Sequence, residues 1–286
     1  MRFAISYSPA YHGIDPDGLI GYARHAEECG FEAVYLPEHI VLYPGATIGE
    51  MPIPPTLESP DPLDMLAFVA AATSRILLGT GVLLLPYHHP VVLAKRLATI
   101  DALSRGRMRL LTVGVGTLPG EAHATGVDFT TRGRRTDEAI DVLRLLWGGG
   151  AEGVSFHGEF FDFDNVTCYP KPYGGDVLPI HIGGSSRPAA RRAGRRGDGF
   201  FPGGLLLPDE RRAQLDLARA AAVEAGRDPA ALEYTRWGSI DVTPERVEAL
   251  AAEGVTRIVV GATAEEPAER YAQMDAFAER FALTPV

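Results

Sequence analysis

Lysine is nearly absent from this 286-residue chain, which carries only Lys95 and Lys171 among 27 basic residues. Schiff-base chemistry needs a lysine at a catalytic strand end, and these two fall in helix-compatible sequence and in a proline-rich loop. Cysteine is as sparse: Cys29 and Cys168 stand alone. With no CxxC pair, neither a disulfide framework nor a structural zinc site is indicated, and both read as buried thiols. Positive charge is also in deficit. A formal net charge of -10 argues against nucleic-acid or anionic-membrane binding, which needs a basic surface, and leaves a small molecule as the expected partner. No run reaches the roughly 18 apolar residues of a membrane span. Met1 to Pro9 lacks a basic segment followed by a long apolar run, so the expected location is cytoplasmic. A G-x-S-x-G elbow and a Walker loop are missing. The first apolar run, Phe3-Ala4-Ile5-Ser6-Tyr7, lacks the H-x-H pair of metal-dependent barrel hydrolases. His88-His89 are neighbours that point in different directions in extended chain, and no metal site is expected.

What the chain does have is a rhythm. At 46% hydrophobic and 22% charged residues it can build a sizeable core. Eight short apolar runs alternate with longer amphipathic stretches: Phe3 to Tyr7, Ala33 to Leu36, Ile76 to Leu85, Arg109 to Val115, Pro179 to Ile182, Gly199 to Phe201, Leu232 to Trp237 and Arg257 to Val260. That is the pattern of repeated βα units around a parallel sheet. A (β/α)8 TIM barrel takes roughly 250 residues as one unit, so the expected fold is a single α/β barrel domain over 1–286. Asp15-Pro16, Asp61-Pro62, His89-Pro90 and Thr243-Pro244 mark helix starts, where proline's missing N–H costs nothing. Gly30, Gly106, Gly148, Gly197, Gly226 and Gly254 are expected to close helices in the left-handed conformation. Two stretches break the rhythm. Val41 to Ser59 is expected to form a loop over the barrel mouth, and 148–176 an excursion between strands four and five carrying a hairpin, Val154 to Phe163. Arg191, Arg192, Arg195 and Arg196 read as a solvated helix face.

Barrel enzymes place functional groups at the carboxyl ends of strands. Four strand ends respond: Glu38-His39, Gly79-Thr80-Gly81-Val82, Gly114-Val115-Gly116-Thr117 and Gly183-Gly184-Ser185-Ser186. Histidine is the natural proton donor or acceptor at such a mouth. The Glu38-His39 pair could equally be a polar strand end bonding its loop. Gly183 to Ser186 offers backbone N–H groups at a helix start, an anion site, or simply a turn with an N-cap. Arg187 favours the anion, because a cation there opposes the helix dipole.

A longer ordered series carries a resemblance. It runs from Gly30-Phe31 to Glu38-His39, through Arg75 to Val82 with Pro86 and His89-Pro90, then Ala94-Lys95 to Asp101, Ser104, Gly106 and Arg107. It continues in Gly114-Val115-Gly116, Glu121, Gly126-Val127, Arg132-Gly133, Asp137-Glu138, Leu146-Trp147, Phe156-His157-Gly158, Pro170-Lys171-Pro172, Ile182-Gly183-Gly184 and Asp198-Gly199. By this series the chain resembles, over most of its length, the luciferase-like monooxygenase superfamily, and within it the coenzyme F420-dependent oxidoreductase branch. The resemblance implies that Glu38 and His39 lie beside the reactive ring of F420, with His39 handling the proton and Glu38 helping to set its tautomer or charge. It implies a non-proline cis peptide at Gly81-Val82 buttressing the ring. Gly116 and Glu121 would line the cofactor, while Gly183, Gly184, Ser185 and Ser186 would receive its phosphate. A dimer is common in such families, though these residues leave the oligomeric state open.

The chain departs from that pattern in three places. Glu38 stands where the F420 branch often has aspartate, which keeps FMN as the alternative cofactor. Thr117-Leu118-Pro119 replaces a common tryptophan. The lysines and arginine of the sugar-phosphate dehydrogenases do not appear after strands six to eight, so glucose 6-phosphate is not the expected substrate. The leading expectation is hydride transfer between F420 and a small organic substrate. The alternative is a two-component FMN monooxygenase, distinguished by its cofactor. A non-catalytic flavin-binding barrel is a third reading, against which Glu38-His39 and the glycine-rich mouth both stand.

Overall fold

The computed structural model describes residues 1–175, 177–204 and 206–285. Its strands are β1 (Arg2–Ser6), β2 (Ala33–Leu36), β3 (Thr47–Ile48), β4 (Met51–Pro52), β5 (Leu77–Leu84), β6 (Leu110–Gly114), β7 (Val154–His157), β8 (Asp162–Val166), β9 (Ile180–Gly183), β10 (Gly199–Phe201), β11 (Glu233–Trp237) and β12 (Arg257–Val260). Its helices are α1 (Pro9–His12), α2 (Pro16–Cys29), α3 (Pro62–Ala72), α4 (Pro90–Leu103), α5 (Pro119–Ala124), α6 (Arg132–Gly148), α7 (Arg187–Arg196), α8 (Pro208–Glu224), α9 (Pro244–Ala252) and α10 (Pro267–Arg280). Eight strands close a parallel barrel in the order β1-β12-β11-β10-β9-β6-β5-β2, and each of the eight apolar runs supplies one of them. This is the (β/α)8 architecture that the alternation requires. The hairpin β7-β8 sits between β6 and β9, and a small antiparallel pair, β3-β4, forms inside the loop after β2. Among the described residues no helix is long and apolar enough to cross a membrane.

Burial explains why these runs are strands. β2, β6, β9, β10 and β12 are buried at every position, because one face of a barrel strand meets the interior and the other meets the helices. Inside, Ala4, Ala33, Tyr35, Leu110, Phe201 and Val259 pack as one cluster, and a larger core of aliphatic and aromatic side chains fills the space between sheet and helices.

The helix starts follow the sequence closely. Asp15 accepts from the Gly18 N–H, Asp61 from Leu63 and Asp64, and Thr243 from Arg246, each directly before an N1 proline. His89 precedes Pro90 without a side-chain cap. The helix ends need a correction. Gly30, Gly106, Gly226 and Gly254 take positive φ, but Gly148 is the last residue of α6 and Gly197 has φ -88. Gly197 is instead a close approach: a Cβ there would lie 2.8 Å from the Ala193 carbonyl and 2.9 Å from the Ile182 side chain. The arginines of α7 also depart from expectation. Arg192 reaches Asp137 and Arg196 reaches Asp141, so one i, i+4 pair of cations on α7 meets one i, i+4 pair of carboxylates on α6. Of these four arginines, Arg191 and Arg195 are the exposed ones. Cys168 is buried as expected, but Cys29 is only half-buried.

Candidate functional site

Glu38 follows β2 directly and turns its carboxylate inward, with only 5% of the residue exposed. It accepts the Leu84 N–H at 2.5 Å and a hydrogen bond from His88 Nε2 at 2.9 Å. A buried carboxylate must be paired or hydrogen-bonded, and here both partners come from the end of β5 and the turn after it. The expected pairing of Glu38 with its neighbour His39 is not what forms. His88, which the sequence reading set aside, is the histidine that engages Glu38.

His39 points the other way. Its N–H donates to Ser59 Oγ at 3.1 Å, and its Nδ1 lies 3.5 Å from Glu121 Oε1. Glu121 is fully buried on α5, and its Oε1 accepts the Ile40 N–H at 2.6 Å. This one carboxylate therefore ties the segment after β2 to the segment after β6. Three buried polar atoms around it, His39 Nδ1, Glu121 Oε2 and the Tyr87 hydroxyl, have no hydrogen-bond partner among the described residues. Burial first, and the Glu121 carboxylate second, push the Tyr87 hydroxyl up to about 12, so it is a donor in search of an acceptor.

Glycines set the shape of this region. Gly116 has φ +75, and a Cβ there would run into the Tyr87 ring at 2.7 Å. Arg132 Nε holds the Gly116 carbonyl at 3.2 Å, which fixes the turn. Across the mouth, Tyr43 from the loop after β2 accepts the Gly120 N–H at 3.2 Å, and a Cβ on Gly120 would run into the Tyr43 ring. The loop over the mouth is thus seated on α5.

The peptide joining Gly81 and Val82 is cis, where the resemblance placed it. The Val82 side chain lies between two strand glycines: a Cβ at Gly114 or at Gly183 would each come within 2.6 Å of it. Gly183 is therefore a buried strand residue whose missing side chain makes room for Val82. Gly81 faces the exposed Trp237 ring, 3.4 Å from where its Cβ would be. The next segment is the anion candidate. Gly184 has φ +99, Ser186 Oγ caps the Ala189 N–H at 3.2 Å, and the Ser185 hydroxyl donates to the Gly203 carbonyl. Ser185 thus gives its O–H to Gly203, whereas Ser186 uses its oxygen only as an acceptor. Among the described residues, the N–H groups of Gly184, Ser185, Ser186 and Arg187 make no hydrogen bond.

The structure brings the sequence-expected His39 beside Glu121 and puts Gly116 against Tyr87, and it gathers around them His88, Tyr43, Gly120 and Arg132, to which the sequence assigned no role in the site. The tyrosines and His88 carry no local pattern that separates them from packing residues. Gly120 and Arg132 could have been suspected from their place beside Gly116 and Glu121.

A parallel barrel with its polar groups gathered after β2, β5, β6 and β9 defines a class, and comparison with known proteins gives it a family. The luciferase-like monooxygenase family model matches residues 1–283, and the chain belongs to that family. A similar relative is the F420-dependent glucose-6-phosphate dehydrogenase of Beutenbergia cavernae, 34% identical over 266 residues, or 84% of this chain and 74% of that one. Among solved structures, an F420-dependent secondary alcohol dehydrogenase in complex with an F420-acetone adduct superposes with a TM-score of 0.79 at 20% identity, covering 98% of each chain. The monooxygenase RslO1 of Streptomyces bottropensis gives a TM-score of 0.77 at 24% identity over 99% of each. At those identities the two structures speak for the fold.

Proposed function

We propose that this chain is an F420-dependent oxidoreductase that transfers a hydride between the deazaflavin and a small organic substrate at the mouth formed by His39, Glu121 and Tyr87. The observation that carries this reading is the set of three buried, unpaired polar atoms on those residues. Orphaned buried polar groups are costly in a folded protein and are expected where a bound molecule completes the hydrogen bonding. The F420-dependent relatives supply the cofactor.

The residues present fit that cofactor. The four N–H groups from Gly184 to Arg187 at the start of α7, which have no partner among the described residues, suit its phosphate, while Val82, Gly116 and Glu121 would line its ring. When bound, F420 supplies the hydride acceptor or donor. His39 holds or gives the proton that must move when a substrate carbonyl becomes an alcohol or the reverse, at the substrate oxygen. Glu121, whose Oε1 lies 3.5 Å from His39 Nδ1 without a hydrogen bond, stabilises His39 electrostatically when it is protonated. The buried Glu38-His88 pair holds the ends of β2 and β5 in register, and so keeps His39 directed into the mouth.

Glucose 6-phosphate, the substrate in the relative's name, is not the substrate we infer. Lys95 and Lys171 donate to the Tyr169 and Leu146 carbonyls, which leaves the mouth without lysine. A homodimer working in the cytoplasm is the setting the family resemblance supports.

Steady-state kinetics of His39→Gln tests the proposal. With a panel of alcohols, ketones and activated alkenes, F420 binding is expected to persist while kcat falls by about 10² to 10⁴. Wild-type turnover by His39→Gln across roughly pH 5 to 8 would remove the role assigned to this residue.

A further inference from the structure

On the outside of the barrel α2 and α10 pack side by side. These are the helices of the first and last βα units, and their contact closes the ring. Phe31 stacks on Phe277 with ring centroids 5.4 Å apart, and His25 lies against Tyr271 at 4.6 Å. At that contact three side chains with metal-ligating atoms meet. His25 and Cys29 are i, i+4 on α2, which puts them on one helix face, and Asp275 projects from α10 opposite them. Their donor atoms all lie within 4.8 Å of one another.

We propose that His25, Cys29 and Asp275 form a binding site for a single divalent transition-metal ion of the zinc class, which clips the first helix of the barrel to the last. The fit rests on distances and direction together. A tetrahedral zinc ion with bonds of about 2.0 to 2.3 Å holds its N, O and S ligands roughly 3.3 to 3.6 Å apart. Here Asp275 Oδ1 is 2.9 Å from His25 Nε2 and 3.4 Å from Cys29 Sγ, so small side-chain rotations reach that arrangement. His25 Nε2 is buried and, despite its nearness to the carboxylate, makes no hydrogen bond with it. Asp275 Oδ1 also accepts a hydrogen bond from the Cys29 thiol, so in the metal-free chain this one oxygen sits between the other two donor atoms.

The donor set also selects the ion. One thiolate, one imidazole and one carboxylate suit a borderline-soft divalent ion and not calcium or magnesium, which take oxygen. Binding exchanges the Cys29 thiol proton for the ion, as thiolate ligation requires. Glu28 and Glu279 line the same surface groove of about 400 Å³ and can supply the fourth ligand, as can water. An ion held by native geometry stabilises the folded chain by mass action. It also closes a loop of 246 residues between Cys29 and Asp275, the long-loop case in which a cross-link constrains the unfolded chain most.

The test uses the intact chain and the metals alone. Zinc titration by calorimetry is expected to give one ion per chain and a raised Tm. Cobalt in its place is expected to give the thiolate-to-metal charge-transfer band of a cysteine ligand. Cys29→Ala and Asp275→Asn should each weaken zinc binding by at least about tenfold and abolish the Tm rise. Their metal-free Tm and F420 binding should stay at the wild-type level. Zinc affinity that survives undiminished in both variants, or bound cobalt with no thiolate band in the wild type, would overturn the site. The cobalt spectrum needs no variant to fold, and none of these readouts depends on the activity at the mouth.

Discussion

His39 and Glu121 come from different βα units, yet the Nδ1 of one stands 3.5 Å from the Oε1 of the other. Glu121 Oε1 is held there by the Ile40 N–H, so the carboxylate is fixed before any substrate arrives. Glu121, and not the adjacent Glu38, is therefore the carboxylate that His39 Nδ1 faces. Glu121→Gln keeps an oxygen for Ile40 but loses the charge. It should lower kcat by about 10²-fold, the smaller end of general acid-base effects, with little change in the stability measured by urea unfolding. Turnover at the wild-type rate would show that His39 works without it.

Glu38 has the opposite character. Its carboxylate is nearly inaccessible and satisfies both the Leu84 N–H and His88. Glu38→Ala leaves two buried donors unpaired, for a loss of about 2 to 3 kcal/mol in unfolding free energy. A loss under about 0.5 kcal/mol, the usual range for surface changes, would mean the pair is not structural.

At the bottom of the barrel His181 packs against Gly199, which a Cβ could not occupy, 2.7 Å from the imidazole. Complete burial pushes His181 down to about 4. The folded chain therefore resists a proton that the unfolded chain takes near the ordinary 6.5. Stability from neutral His181 is fully present above about pH 6.5 and is lost progressively as pH falls toward about 4. Urea unfolding of His181→Asn should show a smaller loss than the wild type across that interval. Parallel curves would contradict the assignment.

Gly184 tests the anion segment. Its Cβ would meet nothing closer than Ala189 at 3.4 Å, but its φ of +99 is one that side chains rarely adopt. Gly184→Val should cost roughly 1 to 3 kcal/mol of local backbone strain and weaken F420 and FMN alike. Unchanged binding of both would remove Gly184 to Arg187 from the phosphate site.

The sequence announced the barrel because each strand is a short apolar run bounded by caps. Asp15, Asp61 and Thr243 are local signals read within four residues. The pairings in the site are not local. Glu38 meets His88 across 50 residues, and which of two carboxylates faces His39 depends on how the segments after β2, β5 and β6 converge. Arg192 and Arg196 were misjudged for the same reason: their partners, Asp137 and Asp141, lie on another helix. Gly183 was legible as glycine but not as the space that Val82 fills.

The most direct test of the account is a fluorescence titration of the purified chain with F420 and, separately, with FMN. Saturable one-to-one F420 binding at least about tenfold tighter than FMN, a difference of about 1.4 kcal/mol, is the result the account requires. Tight FMN binding with none of F420 would contradict it.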